Sequence, residues 1–99
     1  MNNDYASGTW YVKEGKEDEF VQRWREFLTW SRSTHPSMTS ASLLQDRSVP
    51  RHFVSISEWS DAGSRAAWKD TPEFRQLFGE CVALCENAKG ADYDRVVTI

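Results

Sequence analysis

Residues 51–75, RHFVSISEWSDAGSRAAWKDTPEFR, decide how this chain folds. They open with alternation: Phe53, Ser55, Ser57 and Trp59 on one side, His52, Val54, Ile56 and Glu58 on the other. A period of two, with aromatics on one face, predicts a half-buried strand. Ser60 and Asp61 follow as N-cap candidates, because a short side-chain oxygen can accept an orphan N–H of a helix's first turn. A short helix then carries Ala66, Ala67 and Trp68 and stops near Lys69-Asp70. Thr71-Pro72-Glu73 starts another: a cap, a proline where no N–H is needed, and an acid at the positive helix end.

Towards the N-terminus, residues 1–7 are polar and expected to fray. Gly8 to Lys13 alternates, with Trp10 and Val12 on one face, and reads as a strand. Glu14-Gly15 turns the chain. From 16 to about 33, Phe20, Val21, Trp24, Phe27, Leu28 and Ser31 recur at helical spacing, opposite a charged face. Trp30 lies off that stripe, which leaves it a subunit contact, the edge of the domain's own core, or a ligand contact. His35-Pro36 ends the helix. Met38 to Arg47 reads as a second strand, joined to 52–59 by the Ser48-Val49-Pro50 turn.

Towards the C-terminus, Phe74, Leu77, Phe78, Cys81, Cys85 and Ala88 fall on one face of a last helix. Gly90 is its expected C-cap, and Ala91 to Ile99 the final strand. The order β-α-β-β-α-α-β is a ferredoxin-like split βαβ, class α+β, with a four-stranded antiparallel sheet. Both long helices would cover one sheet face. The other face then needs covering, most simply by a second copy of the chain.

Composition narrows the function. Ninety-nine residues make one domain, 1–99, able to form a core without disulfide or metal support. The net charge of −3 argues against nucleic acid, whose phosphates require a basic face. No apolar run reaches membrane-spanning length and no signal-peptide core is present, so the expectation is a cytoplasmic protein without a membrane partner. Neither His35 nor His52 has a companion at metal-ligand spacing, and no glycine-rich loop follows a strand, so neither a metal site nor a dinucleotide fingerprint is expected. Cys81 and Cys85 read as small core residues rather than as a redox or metal pair.

Five tryptophans in so short a chain must share a core, line a cavity or sit at an interface. The candidate pocket gathers Trp59, Trp68, Phe78, Ser55 and Arg65. Trp59 and Trp68 could simply plug the space between sheet and helices. Ser55 and Ser57, if they face those helices, bury hydroxyls that need partners, and a partly polar cavity would supply them.

At this point the residues resemble the antibiotic biosynthesis monooxygenase family of dimeric α+β barrels. The likeness runs from WYVKEGKEDEFVQRW through LLQDR and RHFVSISEW to SRAAWKDTPEFRQLF, covering most of residues 9–80. It implies a homodimer whose two sheets form a shared barrel, with a cavity in each subunit between sheet and helices. It also implies cofactor-free oxidation of a small aromatic by O2, while other members of the family degrade haem. Trp59 stands where quinone-forming members have a tryptophan implicated in catalysis. Their strand asparagine and helix tyrosine correspond to Ser55 and Arg65. Trp68 matches a tryptophan of the haem degraders, but their iron-ligating histidine is Phe78 and their first-strand asparagine is Gly8. The resulting expectation is a catalytic set of Trp59, Ser55 and Arg65, with Trp68, Phe78, Ser57 and Trp10 against the substrate. Arg65 would stabilise an anion. The competing expectation is a non-catalytic dimer that binds a small ligand or serves a structural role.

Overall fold

The computed structural model describes residues 4–99. The elements follow the expected order: β1 Asp4–Val12, α1 Glu17–Thr34, β2 Met38–Gln45, β3 His52–Trp59, α2 Ala62–Lys69, α3 Pro72–Val82 and β4 Cys85–Asp94. They form one four-stranded antiparallel sheet in the order β2-β3-β1-β4. This is the ferredoxin-like α+β arrangement.

The central strands behave as their alternation requires. Phe53, Ser55, Ser57 and Trp59 of β3 and Ala6, Gly8, Trp10 and Val12 of β1 are buried. Phe20, Trp24, Phe27 and Ser31 of α1 close over them, so the core lies between this sheet face and the helices. Its rings meet edge-on, Trp10 with Trp24 at 5.2 Å and Trp24 with Phe27 at 5.0 Å. That is the geometry aromatic quadrupoles favour.

The caps form as read. Asp61 accepts the backbone N–H of Ser64 at 2.7 Å, and Thr71 that of Phe74 at 3.1 Å ahead of Pro72. The two cap hydrogen bonds from Ser64, backbone and hydroxyl, with a further one from Ser37, hold the Asp61 carboxyl below its usual range.

Several boundaries differ from the sequence reading. Asp4 to Ser7 are not frayed but open β1, pairing with β3 from Asp4↔Trp59 onward; residues 1–3 lie outside the described residues. The last helix ends at Val82, so Cys85 and Ala88 belong to β4 and Gly90 is no helix cap. Gly90 instead pairs with Gly8 in the sheet. The final strand is therefore 85–94, not 91–99, and Val96 and Val97 extend beyond it, 89% and 70% exposed. The reason is long-range: Lys13 N–H donates to the Leu84 carbonyl at 2.9 Å, and the ladder with β1 extends from there. Strand formation at an edge depends on that partner and not on the weak propensity of Cys85–Lys89.

Trp30 packs half-buried at the rim of the core, 6.3 Å from Phe27 and 5.4 Å from His35. On the far sheet face, Tyr11, Leu44, Ile56 and Tyr93 are exposed. Among the described residues no helix is long and apolar enough to cross a membrane.

Candidate active site

Between sheet and helices lies a cavity of about 320 Å³. Its floor is Ala6, Gly8 and Trp10 of β1 with Ser55 and Ser57 of β3, and Ser7, Ser42, Ile56 and Gly90 of the sheet also border it. Its walls are Trp24 and Leu28 of α1, Trp68 of α2, and Phe74 and Phe78 of α3. The space exists because β1 and β3 place a glycine and two serines where a packed sheet would carry large side chains. A Cβ on Gly8 would lie 2.7 Å from Trp10 Nε1 and 3.0 Å from Ser55 Oγ. Those two atoms are themselves hydrogen-bonded at 3.0 Å, the indole donating.

Two further tryptophans are fixed in the same way. Trp59 Nε1 donates to Ser57 Oγ at 3.0 Å, and Trp68 Nε1 to Ser31 Oγ at 2.9 Å. Each hydroxyl accepts an indole N–H, so the serines on the core face are the partners buried indoles require. Having accepted from Trp10, Ser55 retains its own proton for a second partner. The Trp24 N–H, by contrast, is buried without a hydrogen-bond partner among the described residues.

Five of the seven expected site residues meet at this cavity: Trp10, Ser55, Ser57, Trp68 and Phe78. Trp59 and Arg65 do not line it. Trp59 is completely buried and packs against Trp68 at 4.8 Å, one ring back from the wall. Arg65 is committed elsewhere. Its guanidinium meets Asp4 at 2.5 and 3.1 Å and Asp92 at 2.8 Å, tying α2 to the β1–β4 end of the sheet. The hydrogen bond to Asp4 is the main influence raising its pKa, so it stays charged within this cluster. The one charged side chain lining the cavity is Lys69, whose ammonium is held by Asp92 at 2.6 Å.

Ala6, Gly8, Trp24, Leu28 and Phe74 also line the cavity, and the sequence reading did not assign them to it. Trp24 and Phe74 were read correctly as core-facing helix positions, but periodicity does not distinguish a core wall from a cavity wall. His52 lies on the opposite face, stacked on Tyr11 at 4.6 Å and bound to Asp46 at 3.0 Å. Burial pushes the Cys81 and Cys85 thiols up to about 12 and about 11. They are weak nucleophiles in the folded protein. No group of three or more potential metal ligands occurs among the described residues.

Residues 5–80 match the family model for antibiotic biosynthesis monooxygenase. The chain belongs to that family. Among solved structures it is similar to SnoaB, a cofactor-independent oxygenase from Streptomyces nogalater crystallised as a mutant. The TM-score is 0.90 at 17% identity, covering 100% of this chain and 98% of that one. A conserved protein from Methanosarcina mazei superposes with a TM-score of 0.83 at 17% identity, covering 94% and 92%. A structure described as an antibiotic biosynthesis monooxygenase gives 0.79 at 22% identity, covering 97% and 99%. At these identities the likenesses establish a shared fold. No protein of the curated set matches the chain.

Proposed function

We propose that this family member is a cofactor-independent monooxygenase, that its substrate is a small phenolic or hydroquinone-type aromatic, and that it acts as a homodimer. The observation that carries the reading is the aromatic cavity with a narrow polar floor. About 320 Å³ falls at the lower end of small-molecule sites, which are apolar with a few placed polar groups. An anthrone serves as the reference substrate. Its methylene carbon loses two hydrogens and gains one oxygen atom of O2, and the other oxygen atom leaves as water. The substrate supplies all the electrons, so oxygen is the sole co-reactant.

In this scheme Trp10, Trp68 and Phe78 hold the ring system, and Ser57 keeps Trp59 braced behind Trp68. Ser55 donates its remaining proton to the substrate oxygen as negative charge builds there, and the Trp24 N–H is a second buried donor at the same cavity. Such donors are worth more in a dry site than in water. Trp59 acts through Trp68 as a positioning residue, and Arg65 organises the fold rather than the chemistry. The lining offers no general base, because Lys69 is engaged by Asp92. The substrate's proton is therefore lost to water before the ring system is enclosed, and the rate follows the substrate's own ionisation.

The test is oxygen uptake by purified, metal-free protein with anthrone as pH is varied. Expected are turnover that rises through the substrate's pKa and a loss on Ser55→Ala that exceeds the change in KM. No uptake above the buffer rate at any pH would sink the enzymatic reading. The dimer is tested by sedimentation. Exposed Tyr11, Leu44, Ile56 and Tyr93 should be covered in an interface of more than about 1,000 Å². A stable monomer at micromolar concentration would count against it.

A further inference from the structure

Three concave spaces meet at one side chain. Leu28 lines the aromatic cavity, a second space of about 310 Å³ beneath Trp24, Arg25 and Phe53, and a third beside Arg32 and Ala41. All three adjoin the seam between α1 and the edge strand β2, where the core opens to the surface.

Among the α1 residues along this seam are Val21, Arg25, Leu28 and Arg32. Their spacing of i, i+4, i+7 and i+11 is one helix stripe, so the two guanidinium groups flank Leu28 on the same side. Neither arginine forms an ion pair among the described residues, whereas Arg23, Arg51, Arg65, Arg75 and Arg95 all do. The cause is local: no acid stands three or four residues from either one, and β2, MTSASLLQ, carries none. In a chain of net charge −3, two unpaired cations beside an apolar opening mark a place where an anion is favoured.

Resting on the aromatic-ligand reading above, we infer that the α1–β2 seam is the mouth of the site and that its ligands are aromatic carboxylates. The ring system passes Leu28 into the cavity, and the carboxylate stays at the rim between Arg25 and Arg32. Leu28 is the threshold residue. The second space lengthens a cavity that by itself has room for little beyond the ring system, and the arginines fix which end of the ligand enters first.

Calorimetric titration with 2-naphthoate and its neutral isostere 2-naphthamide tests this. Exposed charge pairs are individually weak, so each arginine should contribute about threefold and the two together about tenfold tighter binding of the acid than of the amide. That preference should shrink as salt is raised. Arg25→Gln with Arg32→Gln should abolish the preference and leave the amide unchanged. Arg47→Gln, an exposed arginine outside the seam, should leave the preference intact. Leu28→Ala should speed association of both compounds. Equal binding of acid and amide by the native protein, or a preference that survives the double substitution, overturns the anion-selective mouth while the cavity reading stands. If neither compound binds, both fall.

Discussion

Ser31 is where the helix stripe, the buried indoles and the cavity wall depend on one atom. Its hydroxyl is fully buried on α1 and accepts the Trp68 N–H at 2.9 Å. Ser31→Ala removes the acceptor and leaves that donor buried with nothing to bond. An abandoned buried donor costs about 1–3 kcal/mol. Alanine's better helix propensity returns up to about 0.5 kcal/mol. The expected net loss is about 1–2 kcal/mol, or about 5–15 °C in Tm for a domain of this size. The assay is urea and thermal unfolding at fixed protein concentration, since any self-association makes Tm depend on concentration. The decisive comparison is Ser31→Ala in a Trp68→Phe background. With no N–H left to abandon, the same substitution should be nearly neutral or mildly stabilising. An equal loss in both backgrounds would refute the hydrogen-bond argument and assign the cost to packing alone.

Gly8→Ala should lower Tm by several degrees and weaken ligand binding, because its Cβ would sit 2.7 Å from Trp10 Nε1 and push the indole off Ser55; unchanged unfolding and binding would count against it. Arg65→Gln should cost about 2 kcal/mol, a buried-pair loss discounted for the remaining solvent at a side chain 13% exposed, with turnover per folded molecule unchanged. A large fall in turnover at full folding would return Arg65 to the chemistry. Iodoacetamide at pH 8 should alkylate Cys81 and Cys85 slowly in the native protein and quickly in urea, since burial holds the thiols up to about 12 and about 11. Rapid labelling without denaturant would contradict that burial.

Much of this architecture was legible because it is local. The β3 alternation, the Asp61 and Thr71 caps and the α1 stripe each depend on neighbours within a few residues, where side-chain geometry and backbone preference agree. The errors fell where the deciding partner is distant in sequence. Asp4 to Ser7 are strand because β3 and β4 flank them on both sides, and 85–89 are strand because β1 supplies the ladder. Nothing within either segment announces that. Arg65 is the same case at the site. Its type suited an anion, but the carboxylates that claim it, Asp4 and Asp92, lie at opposite ends of the chain. Trp59 was correctly placed on the core face, but the alternation does not say whether Trp59 or Trp68 would form the wall.

The serines on the buried face admit a more economical explanation than a polar pocket. Ser55, Ser57 and Ser31 each accept one indole N–H, from Trp10, Trp59 and Trp68. A core built on aromatics of this size imports one donor with every tryptophan, and each must be met inside the protein. The hydroxyls are thus required by the tryptophans first. The cavity follows from the same arrangement, because a serine or glycine beneath a large ring leaves volume that an aliphatic residue would fill. Trp24 breaks the pairing, with a buried N–H that finds no partner among the described residues while its ring borders both the cavity and the space leading to the α1–β2 seam. A buried donor without a protein partner costs about 1–3 kcal/mol, which a water or an oxygen-bearing ligand that reached it would relieve. Where a ligand oxygen takes that role, Trp24→Phe should weaken binding of 2-naphthol more than of naphthalene. Equal weakening of the two would mean that Trp24 contributes only its ring.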